Sequence, residues 1–387
     1  YSYAATAAAA QALNAGEEAT DTFTYTVVDS LGASSVATLA VKVLGTNDGP
    51  VAKPLTDMVV ENGGAIIIVP QFEDADAGDT ADVTLDTQGT KGKVVQNEDG
   101  TFSYDPNGKF EGLRAGETAT DTFFYKVTDS FGASDMQQVT ITIIGQNDLA
   151  VTRTDIAGVE KNGSITVAKN NGVLSNDTDV DGDALSVAAV NGQPVGTGVA
   201  GKFGTLTMNA DGSYSYVANT SPGALPAKGI AQDVFTYTVS DGLDTVTQTL
   251  TVTVYQKGQT YKGGTDGADS FVGGNGADVL NGGNGNDVLS GGNGADVLIG
   301  GTGNDFLTGG KGNDLFVFGA GSGQDQVTDF AKGDVIQLSK GQFANFAALS
   351  GAISKVGADT VIDLGGGNLV TLQNFGGTLA ASDFLFL

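Results

Sequence analysis

The sequence predicts an all-β chain: β-sandwich modules in tandem, then a parallel β-roll closed by a C-terminal β cap. Three observations carry this reading. A strand-rich segment recurs after 100 residues, as LNAGEEATDTFTYTVVDSLGASS from Leu13 and LRAGETATDTFFYKVTDSFGASD from Leu113. Helical periodicity is nearly absent, whereas apolar and polar residues often alternate. A nine-residue unit rich in glycine and aspartate repeats from Gly264 onward.

The modules come first. Phe123, Tyr125 and Val127 alternate with polar or smaller residues, as do Phe235, Tyr237 and Val239. Ile141 and Ile143 continue the pattern, as do Leu250, Val252 and Val254. The links match as well: GTNDGPVA begins at Gly45 and GQNDLAV at Gly145. A looser third copy runs DGSYSYVANTSPG from Asp211 and DVFTYTVSDGL from Asp233, and DGTFSYDP from Asp99 is its counterpart in the second. Gly, Asn and Asp clusters interrupt the strands at the spacing of a β-sandwich. Ala4–Ala10 reads as a loop or one turn of helix. We place modules at 1–48, 49–148 and 149–256, the first beginning partway through its repeat and lacking a front half. The TDTF(T/F)Y(T/K)V runs, the DG(T/S)(F/Y)SY runs and the link Asn47–Pro50 resemble the VCBS and bacterial cadherin-like repeats of large secreted bacterial proteins. The resemblance implies sandwich modules over residues 1–256.

Composition narrows the function. The chain has 45 acidic and 18 basic residues, a formal net charge of -27. Such a chain cannot neutralise nucleic-acid phosphates, nor does it suit an anionic membrane surface. A cationic partner fits, and metal ions are the simplest; a solubilising surface is the alternative. There is no cysteine, so no disulfide can staple the fold. There is no histidine, which removes Ser-His-Asp triads, HExxH sites and the usual general base. No GxSxG is present and no apolar run is long enough to span a membrane. We therefore expect neither an enzyme nor membrane insertion.

Acidic loops in the modules are candidate metal sites. Asp177, Asp179, Asp181 and Asp183 form DTDVDGD, where alternate carboxylates around a glycine turn can converge on one hard cation. Ala188 stands where an EF-hand would want its Glu, and no helices flank the loop. An Asx-rich turn is the alternative. Asp74, Asp76 and Asp79 form a thinner version in EDADAGD. The links carry Asn47–Asp48 and Asn147–Asp148, followed by Glu61 and Glu160. The cadherin resemblance implies that such link acids hold calcium between domains, although the fuller DxNDN signature is missing here.

The nine-residue unit, residues 257–317 with its lead-in, follows GGxGxDxUx, where U is large and apolar. Perfect copies begin at Gly273, Gly282, Gly291, Gly300 and Gly309, after an imperfect GTDGADSFV from Gly264. Glycines at positions 1, 2 and 4 permit a positive-φ turn and expose carbonyls. Position 6 supplies Asp269, Asp278, Asp287, Asp296, Asp305 and Asp314; position 3 supplies Asn275, Asn284 and Asn293. Position 8 is always large and apolar: Phe271, Leu280, Leu289, Leu298, Leu307 and Phe316. A flexible linker needs no such column. The unit resembles the RTX nonapeptide, and the resemblance implies two parallel sheets with several Ca2+ ions held between stacked turns by aspartates and glycine carbonyls. One narrow apolar column cannot order so much glycine, so metal binding must supply much of the folding free energy.

Residues 318–387 can cap the open roll. GQDQVTDFAKGDVIQL, from Gly323, resembles the flank that follows RTX repeats, with Asp325, Val327, Asp329, Phe330, Gly333, Asp334 and Ile336 carrying the match. The ending DFLFL resembles the uncleaved signal of type I secretion, and a last strand Phe384–Leu387 is the alternative. These readings lead us to expect a secreted or bacterial cell-surface, calcium-dependent adhesin segment. Its partners would be a type I exporter during export, then extracellular polysaccharide, a cell-surface protein or copies of itself. A self-associating matrix or surface-layer scaffold and the non-catalytic tail of a secreted hydrolase are the other readings.

Overall fold

A computed structural model describes residues 1–76, 78–219 and 229–387. Ala77 of the EDADAGD loop and the last four residues of DGSYSYVANTSPG, 220–223, lie outside the described residues. The chain forms two compact units, Tyr1–Asp148 with Val180–Gly182, and Leu149–Asp179 with Asp183–Leu387.

The first unit opens with the short helix Ala8–Gln11 and an antiparallel hairpin, Glu18–Val28 paired with Ser34–Leu44. The repeat 100 residues on builds the same hairpin, Thr118–Asp129 with Ser134–Ile144, inside a four-stranded sheet flanked by Leu55–Val60 and Ala81–Asp86. A second sheet, Ile66–Ile68, Phe102–Asp105 and Lys93–Gln96, shares its core. Phe102 packs edge-on against Phe123, with ring centroids 5.8 Å apart. Equivalent residues therefore have opposite fates. Phe123 and Tyr125 are fully buried, whereas Phe23 and Tyr25 are 42% and 49% exposed, because no second sheet covers their hairpin among the described residues.

The second unit holds the third sandwich and the roll. The sandwich pairs a five-stranded sheet (Asp155–Glu160, Thr245–Tyr255, Ala231–Ser240, Ser186–Val190, Gln193–Pro194) with a four-stranded one (Ser164–Val167, Tyr214–Ala218, Gly204–Met208, Gly198–Ala200). Phe235, Tyr237, Val239 and Leu206 fill the space between them. Both complete sandwiches share a buried clamp. The Tyr104 hydroxyl donates to Asp121 at 2.9 Å, and that carboxylate also accepts the Lys91 and Gly92 N–H groups. Likewise, the Tyr216 hydroxyl donates to Asp233 at 2.7 Å, together with the Lys202 and Phe203 N–H groups.

In the roll, successive nonapeptides alternate between two parallel sheets. One runs Thr260–Gly263, Asp278–Asn284, Val297–Thr302, Leu315–Phe318, Val335–Leu338, Phe384–Phe386. The other runs Ser270–Asn275, Val288–Asn293, Phe306–Lys311, Gln324–Val327, Asn368–Leu372, then turns antiparallel through Asp359–Gly365 and Ile353–Val356. Strands thus pair with the repeat after next, as Leu280 with Leu298 and Leu289 with Leu307. Of the predicted column, Leu280, Leu289, Leu298, Leu307 and Phe316 are fully buried, whereas Phe271, in the imperfect first copy at the end of the stack, is only partly buried against them. The cap continues both sheets, adding Ile336, Ile362, Val370, Leu372 and Phe384 to the same core. The DFLFL ending contributes the outermost strand of the first sheet, Phe384 opposite Ile336.

Candidate metal centres

The glycines of the roll divide by position. In the five perfect copies those at positions 2 and 4 have positive φ, for example Gly283 at 100° and Gly285 at 117°. Position 1 does not, which corrects the expectation from sequence; it needs glycine for space. A Cβ on Gly282 would lie 2.0 Å from Asp287 Oδ2 and 2.6 Å from the Gly300 carbonyl oxygen. The missing side chain leaves a cradle lined by a carboxylate oxygen and a carbonyl oxygen from the repeat after next.

The aspartates form a ladder along this edge. The Asp269 N–H donates to Asp287 Oδ1 at 2.7 Å, Asp278 to Asp296 at 2.8 Å, Asp287 to Asp305 at 2.8 Å and Asp296 to Asp314 at 2.9 Å. The carboxylates of Asp287, Asp296, Asp305 and Asp314 are each held by one oxygen to the backbone of a neighbouring turn. The other oxygen, Oδ2, of Asp278, Asp287, Asp296, Asp305 and Asp314 is buried with no hydrogen-bond partner. Burial first, then neighbouring aspartates, pushes Asp287 and Asp314 up to about 6. A row of buried, uncompensated carboxylate oxygens is costly unless cations fill it. Oxygen donors at mutually adjacent turns suit a hard, flexible-coordination ion such as calcium. Asp269 differs: its Oδ2 accepts from the Thr265 N–H at 2.7 Å and hydroxyl at 2.9 Å. The position-3 residues form a ladder of their own, with Asn293 Nδ2 donating to Asn275 Oδ1 and Thr302 Oγ1 to Asn284 Oδ1.

The sandwiches carry further acidic groups. In the first unit, Asp74, Asp79 and Asp129 bring carboxylate oxygens within 4.8 Å of one another. The link joins them. Asn47 Nδ2 donates to Asp129 at 2.8 Å, holding that carboxyl below its ordinary range, and the Asp48 N–H donates to the buried Asp76 at 2.9 Å. Asp74 Oδ2, Asp76 Oδ1 and Asp79 Oδ2 are buried without partners. Glu61, Asp148 and Asp181 form a second such group in this unit. Glu61 Oε1 accepts the Gln146 N–H, and Asp181 Oδ2 accepts the Asp148 N–H at 2.9 Å. Burial, then the charges of Asp148 and Asp181, pushes Glu61 up.

In the second unit the Asp183 N–H donates to Asp179 Oδ1 at 3.2 Å. Asp177 accepts the Arg153 N–H at 2.9 Å and lies near Asp155, which burial and then the charges of Asp177 and Asp266 push up to about 7 against the Tyr237 hydrogen bond. Sequence reasoning missed Asp129, which lies 50 residues from Asp79 and further from Asp74, at a strand end. The only signal was its recurrence as Asp29 in the other copy.

Sandwiches whose links enter acidic clusters, followed by a roll with an aspartate ladder, define a calcium-binding repeat protein. The family comparison makes this specific: the chain belongs to the bacterial cadherin-like domain family, whose model matches residues 47–145 and 147–256. The RTX calcium-binding nonapeptide repeat matches residues 263–298 and 290–324. No curated protein matches the chain. Among solved structures, mouse clustered PcdhgC3 EC1-3 is 14% identical with a TM-score of 0.38, covering 64% of this chain and 79% of its own. Mouse cadherin-23 EC22-24 is 15% identical with a TM-score of 0.37, over 61% and 74%. The extracellular lipase LipA of Serratia marcescens is 17% identical with a TM-score of 0.29, over 39% and 29%. Among the described residues no helix is long and apolar enough to cross a membrane.

Proposed function

We propose that this chain is an extracellular, calcium-dependent adhesion segment whose roll folds on calcium after export. The observation that carries the reading is the repeated arrangement of unpartnered, buried carboxylate oxygens. They occur along the roll at Asp278–Asp314 and again where links meet sandwich loops, at Asp74, Asp76 and Asp79 beside Asp129, and at Glu61, Asp148 and Asp181. Calcium at these points would make sandwich and roll alike dependent on an ion that is plentiful outside cells and scarce within. Asp177, Asp179 and Asp183 would contribute to the third module's loop. The net charge of -27 opposes compaction until cations bind, which suits a chain exported unfolded. With no cysteine available, calcium takes the place a disulfide would otherwise fill.

The test is attachment under flow. Beads coated with the full chain are passed over acidic polysaccharide, over bacterial cell surfaces and over a layer of the chain itself, in millimolar calcium and in chelator. Calcium-dependent retention on polysaccharide or cells supports adhesion. Retention on the chain alone favours the self-associating scaffold. Failure to attach to any of them overturns both, leaving the chain as a carrier module.

A further inference from the structure

The ladder does not stop where the nonapeptide pattern stops. After the repeat ending at Val317, Phe318 and Gly319 interrupt the register. The turn that follows, AGSGQDQVT from Ala320, then behaves as another copy. Gly323, at the fourth position, has φ 92°. Val327, at the eighth, is fully buried opposite Leu307. Asp325, at the sixth, accepts the Asp305 N–H on Oδ1 at 3.0 Å, as Asp287, Asp296, Asp305 and Asp314 each do for the aspartate two turns earlier, with a separation of 20 residues instead of 18.

What sets Asp325 apart from an ordinary structural aspartate is its second oxygen. The side chain is 1% exposed, and Oδ2 is buried with no hydrogen-bond partner. Ser322, also 1% exposed, has a buried hydroxyl oxygen in the same condition and lies close enough to act on Asp325. The next rung is different. Asp334 accepts the Asp314 N–H on Oδ1 and the Ala331 N–H on Oδ2, so both of its oxygens are engaged. At the opposite end Thr265 engages Asp269 Oδ2. Beyond Asp325 the strand partner is Val370, and the column ends.

We propose that Asp325 Oδ2, with the Ser322 hydroxyl, forms a calcium site outside the nonapeptide repeats, so that the open rungs run from Asp278 to Asp325 rather than from Asp269 to Asp314. This rests on the reading that the roll binds calcium. Burial raises the Asp325 carboxyl to about 7, the same direction as its counterparts Asp287 and Asp314. The consequence is that the first cap turn is loaded with calcium along with the repeats, tying the cap to the roll.

The experiment is calcium binding to the full chain by equilibrium dialysis and calorimetry, for wild type, Asp325→Asn, Ser322→Ala, Asp269→Asn and Asp296→Asn. Asp325→Asn keeps an oxygen for the Asp305 N–H and is expected to lose one ion, as Asp296→Asn does; Asp269→Asn keeps the wild-type number. Ser322→Ala, which leaves the ladder intact, is expected to weaken one ion about tenfold, and it decides the matter should Asp325→Asn not fold. Unchanged ion number and affinities in Asp325→Asn, or in Ser322→Ala where Asp325→Asn does not fold, while Asp296→Asn loses an ion, overturn the proposal and leave the roll reading standing. No loss in Asp296→Asn overturns the roll reading itself.

Discussion

The backbone N–H of Asp278 donates to Oδ1 of Asp296 at 2.8 Å, leaving Asp296 Oδ2 buried and without a partner. One carboxylate thus has two duties: it ties together turns 18 residues apart and offers an oxygen to a cation.

Asp296→Ala removes both. It leaves the buried Asp278 N–H without its acceptor, at a cost of about 1–3 kcal/mol, and takes one ligand from the stack. Asp269→Ala should cost less, because its Oδ2 is already engaged by the Thr265 N–H and hydroxyl. Calcium titration followed by circular dichroism should show a higher midpoint for Asp296→Ala than for Asp269→Ala. Equal midpoints would remove the ladder from the account.

The pH dependence has a definite sign. Asp287 and Asp314 sit at about 6 in the folded, metal-free roll, above the ordinary carboxylate value. Protons are bound more tightly by the folded state than by the unfolded one, so the metal-free roll is most stable below about pH 4 and loses that stability as pH rises through about 6. Calcium competes with those protons, so its affinity should fall on acidification from pH 7 to 5. Titrations in metal-free buffer across this range check both directions; tighter calcium binding at pH 5 would contradict them.

The clamp in the third sandwich is testable apart from calcium. Tyr216→Phe leaves one acceptor site of the buried Asp233 unfilled and should cost about 1–3 kcal/mol. Asp233→Ala should cost more, since it strands the Lys202 and Phe203 N–H groups and the tyrosine hydroxyl together. Thermal unfolding of the variants, with the double variant to measure coupling, gives the order; a Tyr216→Phe cost as large as Asp233→Ala would mean that the backbone donors contribute nothing.

Export provides a fourth prediction. Residues Phe384–Phe386 close the first roll sheet through Phe384 opposite Ile336, so the final stretch is structurally engaged as well as a candidate secretion signal. Deleting Asp383–Leu387 should reduce the amount of chain released by cells bearing a type I exporter. Undiminished release would leave the segment with its strand role alone.

The roll was legible because its signal is periodic and local: an apolar residue at every ninth position needs no knowledge of the fold. The reading faltered where local register breaks. Phe318 and Gly319 shift Asp325 out of the nine-residue count, so the sequence marks it only as part of a flank. Asp129 and the Asp121 and Asp233 clamps escaped for a different reason. Their partners lie 17 to 82 residues away and meet only when sheets pack. The role of the position-1 glycines was missed because it is set by the space that the folded aspartate carboxylate takes, joined in some turns by a carbonyl oxygen of another turn, not by the glycine's own φ.

The central claim is that calcium orders the roll. Each ion at ten times its dissociation constant contributes about 1.4 kcal/mol to the folded state, and five or more open rungs act together. Hydrogen exchange of the full chain, read by mass spectrometry with calcium and with chelator, tests this most directly. The account predicts that amides across residues 273–327 are protected in calcium and exchange rapidly in chelator, while the buried strands Thr118–Asp129 and Ala231–Ser240 keep more of their protection. Equal protection of residues 273–327 in both conditions would contradict it.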